Sequence, residues 1–262
     1  MCRFVYARSA RGGGNLKLAP QGFRGVEKVS KKCYISYLLH HYKNKKGFTL
    51  AEVLITIGII GVVSAMTVPT LMQNYQRKSY VTQLHKVYNE IQQAAVMYMN
   101  DKNALNLREA GLINDNSIDY WMKNYFKIVQ DCTTSPSSCY AIGDYKRITG
   151  TSIDIFNNTN RKKYVLASGA VLHFTVNGDG KILIYIDING KQGPNIVGRD
   201  AFAVMLYNNG VIDDSNPECN IPEAPLSSDL REEMFEQHCI ADSENWWGCF
   251  GKILNDNWEM NY

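Results

Sequence analysis

The sequence predicts an α+β fold: a long N-terminal helix, transmembrane in its first half and amphipathic in its second, packed on a four-stranded antiparallel sheet. Three observations carry that expectation. Residues 48 to 68 form an apolar run with a single charge, Glu52. From Tyr80 to Tyr98 apolar residues return at spacings of three and four, the mark of a one-sided helix. After Cys139 the period changes to two, in segments rich in β-branched and aromatic residues.

The N-terminal residues differ in kind from the rest. Residues 1–47 hold eleven of the 28 Lys and Arg but only one of the 25 acids, Glu27, so they carry about +10 and the remainder about −7. The whole-chain charge of +3 hides that contrast. An acidic remainder shows no strong nucleic-acid signal, because phosphate binding needs clustered Lys and Arg. Residues 1–42 have no sustained period and include the Gly-rich RSARGGGN, so no folded domain is expected there. The absence of methionine between Met1 and the apolar run points to a start nearer Leu38 or Leu39.

The run from Phe48 to Val68 spans about 31 Å at 1.5 Å per residue, close to the hydrocarbon thickness of a bilayer. It is too long for a cleavable secretory core of about 7 to 15 residues. Lys43, Lys45 and Lys46 directly before it place the front in the cytoplasm and the bulk of the chain outside. Pro69 is expected to bend the helix locally. Beyond it, Tyr80, Val81, Leu84, Val87, Tyr88, Ile91, Ala94, Ala95 and Tyr98 make one apolar stripe, opposite Gln83, Lys86, Asn89, Glu90 and Gln93. Burial under the protein's own sheet is the expected use of that stripe, with a partner-binding surface as the alternative. A second helix is predicted over Ser117 to Val129, capped by Ser117 or Asn116, with Ile118, Trp121, Met122, Tyr125 and Val129 inward. The segments KKYVLAS, AVLHFTV, KILIYIDI and AFAVMLYN read as strands, and NGDG at Asn177 to Gly180 as the hairpin turn between the second and third. From Ser215 on, Pro217, Pro222 and Pro225 suggest irregular loop punctuated by Cys239 and Cys249.

Five of the seven cysteines lie beyond the apolar run, where an exported domain meets an oxidising environment. Cys132 and Cys139 enclose the turn-rich TTSPSS, and Cys239 and Cys249 enclose a loop of nine residues. Both pairs suit local disulfides, which leaves Cys219 without an obvious mate. The sequence has no CxxC pair and its histidines are scattered, so a zinc site is not indicated.

Glu52 needs a reason. An acid at the centre of a membrane helix costs about 2.5 to 3.5 kcal/mol on insertion scales. Either it lies too near the end to matter or it awaits a partner. The stretch KKGFTLAEVLITIGIIGVVSAMTVP resembles the prepilin signature of type IV pilins and type II secretion pseudopilins. The features that carry the resemblance are Lys45-Lys46, then Gly47 before the cut, Phe48 as first mature residue and Glu52 as fifth. Gly61 and Pro69 fall at the fourteenth and twenty-second mature positions. The resemblance implies cleavage between Gly47 and Phe48 by a membrane prepilin peptidase, methylation of the Phe48 amine, and transfer of the helix from the bilayer to a filament core. There Glu52 would meet the cationic N-terminus of a neighbouring subunit, and wrong register would leave both charges unpaired. The organisation implied is a leader over 1–47, a filament-core helix over 48–69, its amphipathic half over 70–100 and an exported pilin domain over 101–262.

On that resemblance the chain is expected to be a structural subunit of a pilus or pseudopilus rather than an enzyme. Its expected partners are prepilin peptidase, further pilin or pseudopilin subunits, and the assembly platform with its ATPase. Its expected location is the inner membrane, single-pass with the C-terminal domain outside, and then an extracellular pilus or periplasmic pseudopilus. The alternative is a minor tip pilin that binds a surface or DNA. The segments DINGKQGPNIVGRDAF and WWGCFGKILNDNWEMNY resemble a subfamily of prepilin-type proteins with a DxNGxxGPNxxGxDxF motif and a late cysteine. Within the first, Asp187, Asn189, Asn195 and Asp200 offer hard oxygens of the kind calcium prefers, although the EF-hand match stops after D-x-N-G. The other reading is an Asx-and-glycine loop that turns the chain between strands. No catalytic set of Ser, His and Asp can be tied together. Trp246 and Trp247 suit packing against the sheet or an exposed contact, and NRKKY at 160–164 a solvated strand entry.

Overall fold

The structure, a computed structural model, describes residues 47–154, 156, 161–176, 181–215, 224–241 and 245–262. Residues 1–46 of the basic leader, the Asn177–Gly180 turn, Asn160, Pro217, Pro222 and Cys219 lie outside the described residues. Contacts divide the chain into two units, Met1–Val62 and Val63–Tyr262. What is described of the first is the beginning of helix α1, Leu50–Asp101, which is exposed throughout that unit.

In the second unit α1 carries Pro69 and then the apolar stripe. Val81, Leu84, Val87, Ile91, Ala94, Ala95 and Tyr98 are buried there, as their spacing predicts. Helix α2, Asp115–Tyr125, packs Ile118, Trp121 and Met122 inward. The Trp121 indole donates to the carbonyl of Ala94 at 3.1 Å and so ties α2 to α1. Both ends of α2 differ from expectation. Asn114 is the cap, accepting from the N–H groups of Asn116 and Ser117, and the Ser117 hydroxyl accepts from Asn114 N–H in return. The helix stops at Tyr125 because Phe126 turns to extended backbone, and Val129 is exposed on a strand.

Among the described residues the sheet has six strands, not four: β1 Ile128–Asp131, β2 Lys163–Leu166, β3 Val171–Val176, β4 Ile182–Asp187, β5 Ala201–Leu206 and β6 Ile212–Asp214. They pair antiparallel in chain order. The four expected strands are β2 to β5. The two edges escaped notice because β1 is the short IVQD, largely exposed, and β6 is only IDD, too brief for any period to show.

Strands β4 and β5 are buried along nearly their whole length, which requires cover on both faces. Ile184, Ile186, Phe202 and Val204 join the α1 stripe in the main core. The alternate residues Leu183, Ala203 and Met205 pack under Ala224, Leu226 and Met234 from the tail. The described part of the tail is therefore not loose loop. It forms helix α3, Ser228–Met234, a π turn over Phe235–Cys239 and helix α4, Cys249–Asn255.

Two aspartates of β6 hold that tail. Asp213 is fully buried and pairs with Arg231 of α3, accepting from Nε at 2.9 Å and Nη2 at 2.5 Å. It also accepts from the Leu226 and Asp214 N–H groups, each at 2.8 Å. Asp214 caps α4 from a distance, accepting from Gly248 N–H at 3.0 Å and Gly251 N–H at 2.5 Å. Gly248 sits at φ +91°, and a Cβ there would lie 2.2 Å from the Met234 carbonyl oxygen, so no other residue fits.

Candidate functional site

The residues predicted for processing and assembly lie together at the start of α1. Thr49 and Glu52 form a reciprocal capping box. The Thr49 N–H donates to Glu52 Oε2 at 2.8 Å, its hydroxyl donates to the same oxygen at 2.9 Å, and the Glu52 N–H donates to Thr49 Oγ1 at 3.2 Å. Thr49 is the residue the sequence reading passed over. Its signal was plain, a Thr three residues before a Glu at the head of an apolar run. Glu52 thus has a local use within its own chain. Two orphan N–H groups of the first turn are satisfied by it and Thr49.

From Gly47 to Gln76 every residue is exposed. An apolar surface of that extent marks a membrane or protein interface. α1 is the one described helix long and apolar enough to cross a membrane. A Cβ at Gly47, Gly58 or Gly61 would meet nothing within 4 Å, so this chain's own packing asks for none of these glycines.

The second predicted site, Asp187 to Asp200, is brought together by the β4–β5 connection. Asp187 Oδ1 accepts from the N–H groups of Asn189 at 3.1 Å and Gly190 at 2.7 Å, and Oδ2 accepts from the Tyr145 hydroxyl. Asp200 accepts from Asn195 N–H at 2.9 Å and Ile196 N–H at 2.7 Å, one on each oxygen. The Asn189 amide donates to Asp200 at 3.4 Å and to the Gly193 carbonyl at 3.3 Å. The carboxylates are thus spent on the chain's own donors, whereas the side-chain oxygens of Asn189 and Asn195 are buried without a hydrogen-bond partner. Asn195 takes φ +57°, a left-handed position that Asn tolerates. Among the described residues no group of three or more His, Cys, Asp and Glu is arranged to hold a metal. The two carboxylates close a turn built on Asx bonds.

The same loop is joined to the tail. Cys132 is bonded to Cys139 and Cys239 to Cys249, with Cα separations of 6.3 and 5.0 Å. A Cβ at Gly198, φ +87°, would fall 2.7 Å from Cys249 Sγ. The Tyr262 hydroxyl donates to the carbonyls of Gly198 and Cys249. The glycine of the loop and the late cysteine are thus parts of one joint. Trp246 packs on the sheet, its ring 4.6 Å from that of Tyr185.

The model of the prokaryotic N-terminal methylation motif matches residues 42–68. That motif is the signal of type IV pilins and pseudopilins, and it contains Gly47, Phe48, Thr49 and Glu52. It supports a pilin-like or pseudopilin protein, and it implies processing by prepilin peptidase and assembly with other pilins in general. With the exposed apolar start of α1, it is consistent with a single-pass membrane anchor. No curated protein and no solved structure matches the chain.

Proposed function

We propose that this chain is a structural subunit of a type IV pilus or type II secretion pseudopilus, without catalytic activity of its own. It is made as a precursor, held in the inner membrane by α1 and cut between Gly47 and Phe48. The observation that carries this reading is the methylation motif on a helix whose first half finds no cover in its own chain. In a filament, copies of that half cover one another. Gly58 and Gly61, each costing a helix about 1 kcal/mol relative to alanine, gain a purpose where neighbouring helices approach closely. Gly47 is open in the same way, so its requirement lies with the peptidase that must reach the scissile bond. Glu52 then offers a carboxylate to the methylated Phe48 amine of a neighbour, while Thr49 keeps it oriented. Platform protein and ATPase supply the lift from the membrane.

Intact-mass analysis of the chain expressed with prepilin peptidase tests this. The expected product begins at Phe48 with a methylated amine. A chain that keeps residues 1–47, or is cut after Ala65, overturns the reading.

A further inference from the structure

The apolar part of α1 has a sharper outer boundary than its length suggests. Val53 to Met72 is twenty residues without a charged side chain, about 30 Å of helix and one hydrocarbon thickness. A bilayer placed on that stretch leaves Glu52, with its Thr49 partner, at the inner boundary. It leaves Tyr75, which is exposed, just past the outer boundary, where tyrosines collect. Arg77 and Lys78 follow Met72 by about one and a half turns. Side chains on a helix lean toward its N-terminus, here toward the membrane.

Arg77 does not face solvent alone. With Gln73, Gln76, Tyr80, Ile196 and Arg199 it lines a cleft of about 270 Å³. Two guanidinium groups therefore share one small space. Burial holds Arg199 below the usual guanidinium range; Tyr262 pulls it up, and the charge of Arg77 adds to the lowering. Neither Arg77 nor Lys78 forms an ion pair among the described residues. Asp200, next to Arg199, gives its two oxygens to backbone N–H groups. Glu259 lines the neighbouring groove with Arg77 and Lys78 and pairs with neither. Arg199 donates to the main-chain oxygen of Tyr262, which holds the guanidinium in place, so Arg77 is the cation of this cleft that has no ion pair among the described residues.

We propose that this cleft takes the phosphodiester of an anionic phospholipid from the outer leaflet of the membrane that α1 crosses. Guanidinium groups bind phosphate oxygens in pairs, and two of them here would flank one group. The amides of Gln73 and Gln76 and the Tyr80 hydroxyl supply neutral donors for ester and glycerol oxygens. The lipid would fill the cleft while the subunit waits in the bilayer. The inference rests on the membrane-anchored reading above.

Native mass spectrometry of the detergent-extracted full chain tests it, with phosphatidylglycerol titrated against phosphatidylcholine and inorganic phosphate as a separate arm. The eleven basic residues of the leader are common to all variants, so the difference between chains is what counts. Arg77→Gln should lower the apparent affinity for phosphatidylglycerol about fivefold, and Arg77→Gln with Arg199→Gln further, with phosphatidylcholine unchanged. Arg77→Lys should keep most of the preference, and because Arg77 forms no ion pair its variants should melt as wild type does. Equal phosphatidylglycerol binding by wild type and Arg77→Gln overturns the proposal. Displacement of the lipid by millimolar phosphate also overturns it, since the cleft would then be a site for a free anion. Alkaline carbonate extraction separates the two readings: a chain that washes off the membrane refutes the anchor, whereas an inserted chain without the Arg77 effect refutes the cleft alone.

Discussion

Asp213→Ala is the sharpest test of how the tail is held. Asp213 is fully buried and its oxygens accept from four donors: Arg231 Nε and Nη2, Leu226 N–H and Asp214 N–H. Removing the carboxylate leaves the Arg231 side chain, 15% exposed, beside an apolar void and two backbone donors without an acceptor. Breaking a buried pair from one side costs about 3 to 5 kcal/mol. For a folded unit of this size about 1 kcal/mol moves the melting point about 2 to 4 °C. The expected fall is therefore about 6 to 20 °C, read by circular dichroism on the full chain in detergent. Limited proteolysis should then cut first within the tail. Replacing both partners, Asp213→Leu with Arg231→Met, should recover most of the loss, because no charge is left stranded. A melting point for Asp213→Ala within about 2 °C of wild type would refute the reasoning.

Stability should also depend on pH through Asp214. Burial pushes its carboxyl up to about 7 against three backbone donors. A folded pKa above the unfolded value means stability that is full below the ordinary 3.8 and is lost as pH rises through about 7. Asp187, pushed by burial to about 7, adds in the same sense, whereas His173, held by burial at about 3, opposes it below 6.5. Asp214→Asn should thus gain on wild type in melting point from pH 4 to 7 and run parallel above; a constant difference would show that Asp214 does not titrate in this range. Calcium should leave the melting point unchanged, because the Asp187 and Asp200 oxygens already accept from the chain's own donors. A rise of the size expected at saturation, about 2.7 kcal/mol at a hundredfold excess over Kd, lost in Asp187→Ala, would restore the calcium reading. Glu52→Val should insert normally, lose its half of the capping box with Thr49, and fail to enter sheared filaments. Normal incorporation in cells lacking the wild-type copy would show that no neighbour depends on Glu52.

What was legible in the sequence was whatever repeats over a short distance. The apolar run, the three-and-four stripe from Val81 to Tyr98 and the alternation in β2 to β5 each depend on a residue and its near neighbours, so each shows as a period. The short disulfide loops and the Gly47–Phe48–Glu52 spacing are local in the same way. The capping box of Thr49 was equally local and needed only to be looked for. The edges and the tail are a different matter. IVQD and IDD carry no period, and β6 exists because Asp213 reaches Arg231 and Asp214 reaches Gly248 and Gly251, partners 18 to 37 residues away. Three prolines near the tail's start argued for loop, and the second face of β4 and β5 overruled them by needing Ala224, Leu226 and Met234 as cover. The roles of Asp187 and Asp200 turned on what occupied their oxygens, which only the folded chain decides: a carboxylate in a loop is a cation ligand or a turn acceptor according to which groups the rest of the protein brings within 3 Å of it.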